Sequence, residues 1–308
     1  MFGSITIGSV FGIRARLHWT FIALIVVLLV VGYPFGHLGL NAAALGVFFG
    51  IVFLHELGHG IVARRFGLQV LDVTLWPLGG MTRMTRIPED ARIEGWIAFA
   101  GPAVNLALGL MALPFAPEGT LGWAFGGKFE SGSVLESSAA LFALANFTLA
   151  GFNLLPAFPL DGGRIARALL ATRTDWVSAT QRATSIGKWV ALAMIAYGLY
   201  SMVGDGSRAF FWPIFGVFLW FSGLRESWNV RMRHVGQEFA RAMGVPVEPP
   251  IVEAQASAPA PRSSESPGDP SGARRPTILR APSAEPKQRL SDEQIAELER
   301  FRGRIGRG

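Results

Sequence analysis

The sequence contains no cysteine among its 308 residues. Disulfide bonds, thiolate metal ligands and cysteine nucleophiles are therefore excluded. Charge is also scarce, because Asp, Glu, Lys and Arg make up 16% of the chain against roughly 25% in a typical soluble domain. Only five histidines are present. Ionisable groups within an apolar stretch of this chain consequently demand an explanation.

The formal net charge of +6 does not indicate a nucleic-acid partner. The arginines and lysines gather at the ends of apolar runs and in the C-terminal tail instead of forming a patch within a folded domain. That distribution is typical of a membrane topology signal. We expect the lipid bilayer to be a partner and expect no nucleic acid.

The sequence has six stretches that are long and apolar enough, or nearly so, to cross a hydrocarbon core of about 30 Å. They are residues 17–35, 40–63, 95–115, 138–160, 188–203 and 209–224. Pro156 and Pro159 interrupt the fourth, whose apolar pattern resumes at residues 165–170. The first is too long for the apolar part of a signal peptide and no small-residue cleavage site follows it. We predict an all-α, multi-pass membrane protein with about six transmembrane helices.

The basic residues flank these stretches unevenly. They concentrate before the first stretch, between the second and third, between the fourth and fifth, and after the sixth. The opposite connections carry only Lys128 and Arg208. The positive-inside rule then places both termini in the cytoplasm, and we expect a bacterial or archaeal cell membrane.

Two regions outside the apolar stretches are rich in β-forming residues. Residues 68–85 include the turn signal Gly79-Gly80, and residues 3–19 alternate short β-like pieces with glycine. We predict that they form a small β-sheet near the cytoplasmic side.

The C-terminal quarter of the chain divides into two parts. Residues 226–245 place apolar side chains at helical spacing between arginines, which predicts an amphipathic basic helix that lies in the headgroup layer or packs on the protein. Residues 246–289 hold ten of the 19 prolines. We predict that 246–308 is a disordered tail with a short terminal helix.

The segment 51–67, IVFLHELGHGIVARRFG, places an ionisable cluster inside an apolar helix. With His55 at 0° around the helix, Glu56 lies at about 100° and His59 at about 40°. Two imidazoles one turn apart can share one Zn²⁺, and the adjacent carboxylate can reach the reacting water. A buried His/Glu pair with a packing role is the alternative. Because ionisable groups at membrane depth are costly, the functional interpretation is favoured.

A catalytic zinc site usually has three protein ligands. Asp72, Glu94 and Asp161 are the candidates for the third. Asp161 is favoured because it follows the proline-broken sequence FNLLPAFPL and precedes two glycines. Non-helical backbone at membrane depth is tolerated where protein or a water-filled cavity surrounds it. The alternative role for Asp161 is to cap the helix that follows.

Four short motifs give this sequence a resemblance to the site-2 protease family of intramembrane zinc metalloproteases. HELGH at residues 55–59 matches the first motif of that family, and NLLPAFPLDGG at 153–163 matches its second. AGPAVN at 100–105 and RLHWTF at 16–21 match further patterns. The resemblance covers roughly residues 4–225, so we assign 1–225 to the transmembrane metalloprotease core.

The resemblance implies one Zn²⁺ per chain held by His55, His59 and Asp161. It also implies that Glu56 is the general base, that Asn153 helps to position the substrate, and that a transmembrane protein is cleaved in an extended conformation beside a β-edge. Many members carry a PDZ domain or a nucleotide-sensing module, and no stretch of this sequence is long enough for either.

Two other functions are compatible with a multi-pass membrane protein. A catalytically silent scaffold could bind transmembrane segments, although intact Glu56 and Asp161 argue against it. A zinc transporter would need acidic or histidine side chains distributed along a path, whereas here they concentrate at one site.

Overall fold

The computed structural model describes residues 3–32, 38–77, 79–85, 87–124, 133–204 and 210–244. The chain divides into two compact units, Met1–Met232 and Arg233–Gly308. The first unit contains the sheet and nearly all of the described helices. The predicted tail at 246–308 lies outside the described residues.

The elements follow one another with short connections. The strands are β1 (Ser4–Val10), β2 (Ile13–His18), β3 (Val70–Trp76) and β4 (Gly79–Met84). The helices are α1 (Trp19–Gly32), α2 (Leu38–Arg65), α3 (Ala91–Ala112), α4 (Thr120–Ala124), α5 (Val134–Asn153), α6 (Asp161–Ala171), α7 (Trp176–Gly204) and α8 (Phe211–Ala242), with a 3₁₀ turn at Leu113–Phe115.

Among the described residues, four helices are long and apolar enough to cross a membrane. These spans are Ala42–Arg65, Ala91–Phe115, Val134–Asn153 and Trp176–Val203. The apolar part of α1, Trp19–Val30, is shorter, and the apolar part of α8 ends at Arg225. The mostly helical class is confirmed, while the number of six spans remains a prediction.

The predicted fourth span is divided between two helices. α5 ends at Asn153 and α6 begins at Asp161, with the two prolines of this segment in the turn between them. Proline lacks an N–H and clashes with the preceding helical turn, so the helix cannot continue through this segment. The break places Asp161 at the start of a new helix.

The predicted small sheet is present and has four strands in the order β1-β2-β3-β4. β1 pairs with β2, and β3 with β4, in antiparallel fashion, while β2 and β3 are parallel. Parallel neighbours need a long crossover connection, and α1 and α2 supply it here. β1 and β4 are the two edges of the sheet.

Apolar contacts fix the sheet to α2. Ile13 of β2 and Val73 of β3 pack against Leu57 of α2, and all three are buried. Leu57 lies between the two histidines of the motif. The same contacts that hold the sheet on the helix therefore also fix the histidine-bearing turn.

The predicted basic helix at 226–245 lies within the last part of α8 and the residues after it, described to residue 244. Its contact with a bilayer surface remains a prediction.

Candidate metal centre

Three side chains that are distant in sequence converge at one buried point. His55 Nε2 lies 3.1 Å from Asp161 Oδ2, His59 Nε2 lies 3.3 Å from the same oxygen, and the two Nε2 atoms are 3.2 Å apart. All three residues are buried. Within the described part of the chain they form the one group of His, Asp and Glu side chains placed to hold a metal ion.

The size of this triangle fits zinc. Nitrogen and oxygen ligands bind tetrahedral zinc at about 2.0–2.1 Å, so neighbouring ligand atoms lie about 3.3–3.4 Å apart. The three observed separations are 3.1, 3.2 and 3.3 Å. Two imidazoles and one carboxylate also form a common donor set of catalytic zinc sites.

The orientation of His59 is fixed from its far side. His59 Nδ1 lies 2.6 Å from the backbone oxygen of Ile97 in α3. A carbonyl oxygen can only accept a hydrogen bond, so Nδ1 carries a proton, and in the neutral ring Nε2 then presents its lone pair. An outer hydrogen bond of this kind is typical of metal-binding histidines.

The backbone around Asp161 is held by close packing of two glycines. A β-carbon at Gly162 would overlap the carbonyl oxygens of Leu154 and Leu155, and one at Gly163 would lie 2.7 Å from Phe158 N. Only glycine permits the α5–α6 turn to fold back this tightly.

The alternative role of Asp161 as a helix cap is not observed. Leu160 occupies the N-cap position of α6, and no side chain makes a capping hydrogen bond there. The carboxylate of Asp161 instead faces the two histidines.

Glu56 contacts β4. Its Oε2 accepts hydrogen bonds from Thr82 N at 2.9 Å and Thr82 Oγ1 at 2.7 Å. A β-carbon at Gly80 would lie 2.9 Å from Glu56 Cδ. The carboxylate is therefore held between α2 and an edge strand of the sheet.

Asn153 is the last residue of α5 and is half-buried. Its Nδ2 donates to Leu149 O at 3.0 Å, one turn earlier in the same helix. This contact leaves Asn153 beside the α5–α6 break, and its predicted role toward a substrate remains a proposal.

The two other carboxylates considered as third ligands have basic partners elsewhere. Asp72 of β3 is buried and bonds Arg83 and Arg16 within the sheet. Burial opposes ionisation of Asp72, but hydrogen bonds from Arg83, Thr74 and Arg16 hold its pKa below the ordinary value. The structure therefore does not bring Asp72 to the histidines.

Glu94 belongs to a buried ion-pair network that the sequence did not reveal. Arg167 of α6 donates to Glu94 Oε2 at 2.9 Å and to Glu226 Oε1 at 2.6 Å. Its guanidinium also lies 5.0 Å from the ring centres of Phe158 and Trp176. This network connects α3, α6 and α8 two turns beyond Asp161.

The buried His-His-Asp group in a set of apolar helices defines the class of protein, namely a membrane protein with a zinc-type centre. Comparisons with known proteins agree with this class. The profile of Peptidase family M50 matches residues 43–197.

Several known proteins are similar in sequence to this chain. The zinc metalloprotease MJ0392 of Methanocaldococcus jannaschii is 34% identical over 207 residues, which are 65% of this chain and 55% of that protein. Rip3 of Mycobacterium tuberculosis is 35% identical over 237 residues, 72% of this chain and 58% of that protein. The chain thus spans somewhat more than half the length of these relatives.

This chain is also similar to solved structures. One of them is the site-2 protease from Methanocaldococcus jannaschii, which is 34% identical, covers 73% of this chain and 95% of its own, and has a TM-score of 0.49. The chain belongs to peptidase family M50, the site-2 protease family.

Proposed function

We propose that this protein is an intramembrane zinc metalloendopeptidase that hydrolyses peptide bonds in or near transmembrane segments of membrane-protein substrates. The observation that carries the proposal is the convergence of His55, His59 and Asp161 at one buried point. Glu56 lies next to His55 on the same helix, so a carboxylate accompanies the ligand set.

The proposal divides two tasks, metal binding and proton transfer, among these side chains. His55, His59 and Asp161 would hold one Zn²⁺ per chain. Bound zinc would polarise the scissile carbonyl and lower the pKa of water to about 7. Glu56 would accept a proton from the attacking water and deliver it to the leaving amine.

The substrate would be held in an extended conformation along the outer edge of β4, next to the point where Thr82 N donates to Glu56. An exposed edge offers unpaired N–H and C=O groups to an added strand, and β4 lies at the end of the sheet order. A helix conceals its peptide carbonyls, so a transmembrane substrate has to unwind locally before it can bind there. Asn153, beside the α5–α6 break, is proposed to position the same extended segment.

The chain is proposed to cross the membrane six times. β2 leads directly into α1, and α2 leads back to β3, its neighbour in the sheet. Because α2 is long enough to span and ends at the sheet, its start lies on the opposite side. α1 must carry the chain there, which supports a transmembrane role for α1 despite its length.

α7 and α8 are proposed to form a second transmembrane hairpin. Gly198 near the end of α7 faces Pro213 near the start of α8, and Thr184 near the start of α7 bonds Gly223 O further along α8. Between these two contacts the helices are therefore antiparallel. This supports an even number of crossings, with residue 225 proposed to lie on the same side as the sheet.

The sheet side is proposed to be cytoplasmic. The basic residues concentrate on that side, in accordance with the positive-inside rule. His55 and His59 precede the end of α2 at Arg65 by six to ten residues, which corresponds to about 9–15 Å along the helix. Products would therefore be released toward the cytoplasm.

The function can be tested with purified protein in detergent and a model transmembrane peptide. The wild type should contain about one zinc per chain and cleave the peptide. Glu56→Gln should abolish cleavage and retain zinc, because Glu56 is assigned as base and not as ligand. Binding of the peptide without cleavage by the wild type would favour the scaffold, and cleavage by Glu56→Gln would refute the proposed chemistry.

A further inference from the structure

Glu56 is bound to the edge strand β4 by several hydrogen bonds, all from Thr82. Thr82 approaches Glu56 with both of its donors: Thr82 N is 2.9 Å and Thr82 Oγ1 is 2.7 Å from Glu56 Oε2. The same hydroxyl lies 2.8 Å from the backbone oxygen of Glu56, so its single proton is shared between these two acceptors. One side chain of the sheet therefore contacts both the backbone and the carboxylate of this helical residue.

The direction of the Thr82 N–H shows which side of β4 is involved. Thr82 is opposite Val73 in the β3–β4 pair, yet its N–H is directed to Glu56. In antiparallel sheets, alternate residues direct their N–H groups away from the partner strand. Glu56 thus lies along the outer edge of β4.

Gly80, on the same face of β4 as Thr82, has no side chain and so leaves room for Glu56. Gly80 lies two residues before Thr82, and side chains two apart in a strand share a face. A β-carbon at Gly80 would lie 2.9 Å from Glu56 Cδ and 3.1 Å from Oε1. β4 therefore has a glycine, Gly80, where the Glu56 side chain lies against the strand, and a hydrogen-bond donor, Thr82, beside the carboxylate oxygen.

Both hydrogen bonds end on the same carboxylate oxygen. Within the described part of the chain, no hydrogen bond reaches the other oxygen, Oε1. A carboxylate that is held through one oxygen keeps a fixed orientation while the second oxygen remains available as a proton acceptor. Hydrogen bonds to a charged group are also stronger than those between neutral groups.

We propose that Thr82 is the positioning residue for the general base: its hydroxyl and N–H hold Oε2 of Glu56 and leave Oε1 to take the proton. This inference rests on the proposed proteolytic function. It assigns to the edge strand a role in catalysis that is separate from pairing with substrate, because the hydroxyl is not needed for strand pairing.

The backbone N–H persists in any substitution other than proline, so the hydroxyl is the part that can be tested. Thr82→Val keeps the β-branched shape and removes the hydroxyl. Thr82→Ser keeps the hydroxyl and removes a methyl group. Thr6→Val makes the same chemical change on β1, the opposite edge of the sheet, and is the matched control.

The measurements are kcat, KM and zinc content with the model transmembrane peptide. Loss of one hydrogen bond to a charged group corresponds to about tenfold or more in rate. We expect Thr82→Val to lower kcat by about tenfold, with KM within about twofold and zinc content equal to the wild type. Thr82→Ser should restore most of kcat, and Thr6→Val should leave both constants unchanged.

A second measurement separates base positioning from substrate binding. In the Glu56→Gln background, Thr82→Val should leave the dissociation constant of the uncleaved peptide unchanged. A weaker complex, or a rise in KM with kcat intact, would show that Thr82 acts in substrate pairing and would overturn the proposal. A loss of zinc in Thr82→Val would show a structural role and would also overturn it.

Failure of this proposal is distinct from failure of the proteolytic function. If Glu56→Gln is inactive while Thr82→Val retains the kcat of the wild type, only the role of Thr82 is refuted. If Glu56→Gln cleaves like the wild type, the assignment of the base itself is wrong.

Discussion

Gly101 of α3 lies directly against the imidazole of His55: a β-carbon at position 101 would be 2.6 Å from His55 Nε2. The same helix accepts the hydrogen bond of His59 through Ile97 O, one turn earlier. α3 thus forms one wall of the proposed metal centre, and its backbone approaches the histidine nitrogens more closely than a residue with a β-carbon would allow.

Replacement of Gly101 by alanine is expected to lower zinc occupancy strongly, because the added methyl group would displace the ligand nitrogens. Gly50→Ala in α2 is the control, because nothing lies within 4 Å of a β-carbon there. Alanine in place of an unhindered helical glycine is neutral or stabilising. Metal analysis of the purified variants checks the prediction, and full occupancy in Gly101→Ala would show that α3 can move aside.

Removal of any of the three proposed ligands should lower zinc content and activity together. His55→Ala, His59→Ala and Asp161→Ala each remove one of three protein donors. Asn153→Ala should retain zinc and lower turnover, because its side chain is assigned to the substrate. If Asp161→Ala kept full zinc and activity, the third ligand would have to lie elsewhere.

The buried pair of Glu94 and Arg167 is expected to be important for stability. Removing one partner of a buried ion pair costs about 3–5 kcal/mol, because the other charge remains buried. Glu94→Gln should therefore unfold at clearly lower temperature in detergent than the wild type. Glu118→Gln, at an exposed position, is the control. Equal melting temperatures for both variants would mean that the existing ion pair between Arg167 and Glu226 is enough to stabilise the buried guanidinium.

The grouping of the candidate site residues could be predicted from the sequence, whereas the contacts that hold them in place could not. His55, Glu56 and His59 lie within one turn, so helical geometry alone groups them. Asp161 is 106 residues from His55. The two prolines and two glycines around it nevertheless indicate the helix break that brings its carboxylate to the histidines.

The contacts around these residues depend on tertiary packing and leave no local pattern. Gly101 and Ile97 are near the histidines because α3 packs on α2, and Thr82 reaches Glu56 because of the register of β4. Glu94 and Arg167 are 73 residues apart, and their charges within apolar segments were the one available signal. The number of transmembrane spans is equally hard to predict from the sequence, because the apolar parts of α1 and α8 are shorter than the predicted spans.

Asp72 is expected to make stability depend on pH below about 4. Its pKa is lowered from 3.8, because hydrogen bonds from Arg83, Thr74 and Arg16 outweigh the effect of burial. A carboxyl group with a lowered pKa in the folded state stabilises the protein above the pKa of the unfolded state. That contribution is lost as the pH falls through the folded-state pKa.

Asp72→Asn should accordingly be less stable than the wild type at pH 7, and the difference should shrink as the pH falls below about 4. Denaturation curves of both proteins with a chelator present test this, since metal loss in acid is then common to both. Parallel pH profiles for the two proteins would contradict the assignment.

The topology can be tested because the chain has no cysteine of its own. Single cysteines at Ser9, Gln69 and Ala260 should react with a membrane-impermeant maleimide only after the cells are permeabilised. A cysteine at Glu118, in the connection after α3, should react in intact cells. Ser9 and Gln69 must share one side because β2 and β3 are neighbours in the sheet. Ala260 should match them if α7 and α8 both cross. Labelling of Gln69→Cys from outside would show that the orientation is the reverse of the proposed one. Labelling of Ala260→Cys from outside, with Ser9→Cys and Gln69→Cys protected, would show that α7 and α8 do not both cross the membrane.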